Sequence, residues 1–221
     1  MSFIRVKRSL IKLLSAMLAA TLFCACGEEK KLPEEYESTK EGTTTEVSFA
    51  EAEEETNYVK IEMTDGGIII IELYPDIAPI TVANFKKLVG EKFYDGIIFH
   101  RVVKDFVIQA GDPTGTGAGG SKETIKGEFG INGVTNNLSH TTGVVSMARS
   151  SGLNDSASSQ FFICLNDKHK SSLDGQYASF GKVISGMDTV LKIGSVKVNS
   201  KNKPTEDQTI ATVRFVTVQE K

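Results

Sequence analysis

Tyr58-Val59-Lys60-Ile61-Glu62-Met63, then Thr64-Asp65-Gly66, then Gly67-Ile68-Ile69-Ile70-Ile71-Glu72-Leu73 is the stretch that sets the fold class. Both flanking runs are rich in β-formers, and the Asp-Gly between them is a strong hairpin signal. Reading on from Leu73, Ala78–Val89 has a helical pattern. Pro79 suits a first turn, Gly90 ends the segment, and Ile80, Ala83, Leu88 and, less regularly, Phe85 supply one apolar face. Short β-like runs follow at 97–102, 106–110, 143–148, 161–165 and 178–183, with a short helix at 187–193 and a last strand at 209–218. Many short strands, Gly-rich turns and two helices predict a mainly β, antiparallel sandwich or barrel. Two long Gly/Ser/Asn-rich loops, 112–121 and 150–159, are of a length that compact domains reserve for function.

Toward the N-terminus the character changes. Between Gly27 and Asn57 eleven acids face three lysines, and large apolar residues are few. Such a segment buries too little surface to offset chain entropy, and residues 26–57 are expected to form a flexible, charge-extended spacer. Before it, Arg5, Lys7, Arg8 and Lys12 precede the apolar run Leu13–Phe23 and then Cys24-Ala25-Cys26-Gly27. This describes a secretory signal over residues 1–25, too short for a bilayer span of about 20 apolar residues. A cysteine closing such a run resembles the bacterial lipoprotein signal. Cys26, with Ala25 before it and Gly27 after, is the expected lipidated residue, although Phe23 stands where that signal usually has Leu. The resemblance implies an extracytoplasmic domain, residues 58–221, anchored by lipid to a bacterial cell membrane.

The 221 residues suit one domain plus extra segments, or at most two small domains. The formal net charge of -3 is concentrated in the spacer. From Tyr58 onward acids and bases nearly balance, and no basic face invites nucleic acid. Cys164, inside Phe161-Phe162-Ile163-Cys164-Leu165, reads as a buried thiol, and no disulfide framework or zinc spacing exists. Gly115–Gly120 formally contains G-x-G-x-x-G, but Ser121–Gly127 does not open a helix, so a dinucleotide site is not expected. No G-x-S-x-G elbow accompanies the serines, and three dispersed histidines (His100, His140, His169) make no metal site.

A stronger pattern lies in Phe99-His100-Arg101-Val102-Val103 and Phe106-Val107-Ile108-Gln109-Ala110-Gly111-Asp112. Arg101 and Gln109 alternate with apolar neighbours on successive β-like segments, which allows both to project to one face beside Phe106 and Val107. The pattern equally allows a surface arginine and a solvated glutamine.

These two runs, with Gly117–Gly120 before Ser121, Ser146-Met147-Ala148, Ser159-Gln160-Phe161-Phe162-Ile163, Leu173-Asp174-Gly175 and Phe180-Gly181-Lys182-Val183, resemble the cyclophilin family in content and order. The resemblance covers the chain from about Tyr58 to its end. It implies a closed eight-stranded antiparallel β-barrel capped by two helices, an outer-surface groove, peptidyl-prolyl cis–trans isomerase activity on proline-containing polypeptides, and no cofactor or metal. By the same resemblance Arg101 is the catalytic arginine and Gln109 helps hold the substrate backbone. Phe106, Val107, Phe162 and Leu173 wall the proline pocket, with Val107 where many members have Met. Ala148, Arg149, Gln160 and Tyr177 complete the substrate-binding set. Arg149 replaces the usual Asn, Tyr177 a common His, and Ser172 the Trp of familiar eukaryotic members, which implies weak binding of cyclosporin-like macrocycles. The alternative is a chaperone module that holds proline-containing segments without isomerising them.

Overall fold

The computed structural model describes residues 4–5 and 46–220. Apart from Ile4 and Arg5, the expected signal segment lies outside the described residues, as do Cys26 and most of the expected spacer. Two units make up the chain, one of residues 1–49 with 218–221 and one of 50–217. In the first, β1 (Ile4–Arg5) pairs antiparallel with the start of β2 (Glu46–Glu51), Ile4 opposite Val47.

The second unit begins with the expected hairpin, β3 (Tyr58–Met63) and β4 (Ile68–Leu73). Its turn is closed by Met63 N–H donating to Gly67 O at 2.8 Å and Gly67 N–H to Asp65 Oδ1 at 3.0 Å, with Gly66 at φ 83°. That left-handed conformation is why glycine stands there. β5 (Arg101–Val103), β6 (Val107–Ala110), β7 (Val144–Met147), β8 (Phe161–Cys164), β9 (Ser179–Ser185) and β10 (Ile210–Glu220) follow, joined in the order β10-β3-β4-β9-β7-β8-β6-β5, every pairing antiparallel.

Four expectations change. The ladder does not close into a complete barrel. β10 and β5 remain its ends in this unit, linked by an isolated Ile98–Thr209 bridge and bonds such as Phe99 N–H to Gln208 O at 2.9 Å. Gly96, at φ 76°, donates its N–H to Ile210 O at 2.9 Å beside this bridge. Three α-helices are present instead of two: α1 (Pro79–Gly90), the one-turn α2 (Lys170–Leu173) and α3 (Met187–Gly194). The buried face of α1 is Thr81, Val82, Phe85, Leu88 and Val89, while Ile80 is exposed, because the helix is rotated from the phase its aliphatic spacing suggested. Finally, residues 46–57 are not a structureless spacer end. Glu46–Glu51 is a strand, Ala52 N–H donates to Phe215 O, and Thr56 Oγ1 donates to Val216 O at 2.7 Å.

The core lies on the inner face of the sheet under α1 and α3, where Phe85, Tyr94, Phe161 and Phe180 pack ring to ring. The α1 N-terminus is closed from a distance. The buried Glu128 carboxylate accepts from Ile80 N–H and Thr81 N–H, at 3.1 and 2.8 Å, and from Thr81 Oγ1. An acceptor there offsets the unpaired amides of a first turn.

Candidate active site

The two-residue period of a strand sends successive side chains to opposite faces. On β8, Phe161 and Ile163 enter the core, so Phe162 and Cys164 point outward; on β6, Ile108 and Ala110 enter it and Val107 and Gln109 point outward. Every residue of β8 is nonetheless buried, because the outer face carries its own apolar group. Val107, Phe162, Cys164 and Leu173 form it, with the half-buried Phe106, Ala148 and Tyr177 packed against them. Tyr177 meets Phe162 edge-on at 5.6 Å, and α2 exists to bring Leu173 over the strands.

Beside this apolar surface runs a chain of amides. Arg101 lies opposite Gln109 in the β5–β6 register, and its Nη1 donates to Gln109 Oε1 at 3.0 Å. Gln109 Nε2 donates to Gln160 Oε1 at 2.8 Å, and Gln160 Nε2 to Gly119 O at 2.7 Å and Gly117 O at 3.0 Å. One guanidinium N–H is therefore engaged, the plane of the fork is fixed, and among the described residues no carboxylate neutralises the charge.

The Gly-rich loop that receives Gln160 is built around Asp112. Its carboxylate accepts from the backbone N–H of Thr114, Thr116, Gly117 and Gly119 and from Thr114 Oγ1. Burial would raise this carboxyl's pKa, but those bonds hold it far below the usual range. A Cβ at Gly119 would strike Asp112 Oδ1, so the glycine spacing serves a close backbone approach to a carboxylate and not to a phosphate. A hollow of about 300 Å³ continues the groove past Gln109, Ala148 and Gln160, bounded by this loop, Arg149 and the serine-rich loop.

Beneath Phe162 lies an arrangement that sequence reading passed over. The His140 ring stacks on Phe162 at 6.0 Å, its Nδ1 is 2.8 Å from Asp174 Oδ1, and its Nε2 is 3.0 Å from Ser146 Oγ. Burial pushes the imidazole below its ordinary pKa against the opposing pull of Asp174. A neutral ring with its proton on Nδ1 satisfies both contacts. The order Ser–His–Asp is that of a hydrolase, but Ser146 is 0% exposed, so its hydroxyl reaches no substrate. Cys164 is equally closed off: burial, with Asp174 and Asp167 nearby, pushes its thiol up to about 12. His169 packs on Phe106 at 4.7 Å and is itself exposed. Its signal, three residues before an exposed Ser172, is too weak to find without coordinates.

All ten residues singled out in the folded part thus meet in one groove: Arg101, Gln109 and Gln160 by hydrogen bonds, Phe106, Val107, Ala148, Phe162, Leu173 and Tyr177 by packing, and Arg149 over the Tyr177 ring at 5.0 Å. Comparison with known proteins gives the family. Residues 58–215 match the family model of the cyclophilin type peptidyl-prolyl cis-trans isomerases. The chain belongs to this family. It is 46% identical over 144 residues to the peptidyl-prolyl cis-trans isomerase ppi1 of Schizosaccharomyces pombe, covering 65% of this chain and 89% of that protein. It is 42% identical over 166 residues to a peptidyl-prolyl cis-trans isomerase-like 1 of Gibberella zeae, 75% and 98% of the two chains. Among solved structures, a Cryptosporidium parvum cyclophilin type isomerase studied in the presence of the dipeptide ala-pro superposes with a TM-score of 0.65 at 31% identity, over 72% of this chain and 98% of that one. The cyclophilin AquaCyp293 from Hirschia baltica gives 0.58 at 27% identity, over 71% and 73%.

Proposed function

We propose that this cyclophilin accelerates cis–trans exchange of X–Pro bonds in exported or surface proteins, from a lipid anchor at Cys26 on the outer side of a bacterial membrane. The observation that carries the chemistry is the uncompensated Arg101 guanidinium, oriented by Gln109 beside an exterior apolar wall of Phe106, Val107, Phe162 and Leu173.

An X–Pro amide resists rotation by roughly 18–20 kcal/mol because the nitrogen lone pair is shared with the carbonyl. No bond breaks, so the site needs a grip and a donor. The apolar wall holds the proline ring while the preceding carbonyl turns. At the twisted geometry the nitrogen lone pair is localised, and an Arg101 N–H donates to it. That bond is weaker in either planar state, and only such a difference accelerates the step. Each factor of ten needs about 1.4 kcal/mol, so one charge-assisted bond with a fitted pocket supplies several powers of ten. Gln109 and Gln160 hold the substrate backbone.

Localisation rests on the N-terminal sequence alone: the basic start, the apolar run and Ala25-Cys26-Gly27. The exposed Ser172 on α2, where an indole would add surface, supports weak binding of cyclosporin-like macrocycles.

The test is the cis-to-trans rate of an X–Pro peptide with wild-type protein and Arg101→Ala. Acceleration lost in the variant supports the assignment. A folded wild type that binds the peptide without accelerating exchange makes the chain a holding chaperone. Cys26→Ser is expected to leave the membrane fraction with its domain intact; unchanged fractionation refutes the lipid anchor.

A further inference from the structure

The hollow beyond Ala148 has a charge inventory that its shape does not require. Of the residues that bound it, Arg149 is the one charged side chain. Its position is set by three groups that carry no formal charge. Nε donates to Gln176 O at 3.0 Å, and the guanidinium carbon lies 5.0 Å from the Tyr177 ring centre and 5.2 Å from that of Phe129. The two rings fix its plane by cation–π contact without neutralising it.

No ion pair among the described residues includes Arg149, and Nη1 makes only a long contact, 3.4 Å, to Ser150 O. The nearby acids are committed elsewhere. Asp112 is saturated by its own loop, and Asp155 accepts from Gly127 N–H and Asn132 Nδ2. Ser121, Ser158 and the glycine backbone leave the remaining wall small, polar and neutral. Arg101 adds a second cation with no ion pair among the described residues, across the Gln109–Gln160 bridge.

We propose that this hollow takes an acidic side chain, aspartate or glutamate, close to the isomerising proline in the same substrate, and that Arg149 selects it. One half-buried guanidinium matches one negative charge, which favours a carboxylate over a dianionic phosphate, and a glutamate side chain fits about 300 Å³ with room for water. The inference rests on the isomerase reading of the groove and names its substrate class.

The test uses the full chain and X–Pro peptides in which Glu, Gln or Lys is scanned through the positions flanking proline. At one position Glu is expected to exceed Gln in kcat/KM by about fivefold, the range of a partly exposed ion pair, and Lys to fall below both. Added salt reduces the difference. Arg149→Gln is expected to erase the Glu-over-Gln ratio, whatever it does to the absolute rate, and Arg149→Lys to keep part of it. Equal rates for Glu and Gln at every position, or a preference that persists in Arg149→Gln, overturns the proposal. If Arg149→Gln does not fold, salt dependence of the wild-type preference decides, and a preference indifferent to salt overturns it. If no peptide is isomerised, the isomerase reading fails separately. Peptide affinities by NMR titration then read the charge preference alone, and equal affinity for Glu and Gln peptides overturns it.

Discussion

Two apolar groups are built from the same strands and differ in what completes them. Inside the sheet, Phe85, Tyr94, Phe161 and Phe180 sit in mutual contact, each ring 0% exposed, with neighbours on every side. Outside it, Phe162 is 5% and Leu173 6% exposed, and the half-buried Phe106, Ala148 and Tyr177 stop short of covering them. The inner group is satisfied by the chain itself. The outer one leaves an apolar wall open at its edge, next to an arginine that has no ion-pair partner among the described residues. A surface that is apolar and incompletely covered is where a ligand supplies the missing contacts.

Adjacent residues of β8 offer the sharpest way to break this comparison. Phe161→Ala is expected to destabilise the domain by about 3–5 kcal/mol, read from denaturant midpoints, because it opens a cavity among packed rings. Phe162→Ala should cost about 1.5–3 kcal/mol, with most of its damage in KM for proline peptides. If the two variants lose equal stability and Phe162→Ala binds peptide normally, the outer group is ordinary core. Next in size, Arg101→Ala should lower kcat/KM by about a hundredfold with an unchanged melting temperature, as expected for loss of one oriented donor. A large melting shift would make Arg101 structural.

Smaller again is the pH response. His100 and His140 both have pKa values held below 6.5, in each case chiefly by burial. Between its folded and unfolded values each histidine binds more protons in the unfolded chain, so stability is full above about pH 6.5 and falls as pH drops below it. His140→Asn should flatten that slope in an acid titration followed by circular dichroism. An unchanged slope would show that His140 charges freely in the folded state.

Much of this was legible in one dimension. The hairpin 58–73 follows from β-formers around Asp-Gly, and the groove residues were found because their spacing resembles a family whose members place them together. Other features were not legible. Glu128 closes a helix that begins 49 residues earlier, and His140 links Asp174 to Ser146 under Phe162. Neither leaves a local pattern, since capping and hydrogen bonding require proximity in space and not in sequence. The phase of α1 was misread for a related reason. Thr81 is buried because the Glu128 carboxylate accepts from its hydroxyl as well as its N–H, while Ile80 reaches that carboxylate through its N–H alone and its side chain stays exposed.

By itself the sequence determined the β-hairpin start and the antiparallel class, because strand period and turn chemistry are local, and its contiguous motifs carried the family resemblance that singled out the groove residues. Only the tertiary structure decided that the ladder stops short of closing between β5 and β10, that Cys164 joins the outer apolar wall with His140 stacked on its Phe162, and that Arg149 lies over two rings with no ion-pair partner among the described residues. Each depends on which distant segments come within a few ångströms of one another, a quantity fixed by packing and absent from any single stretch of chain.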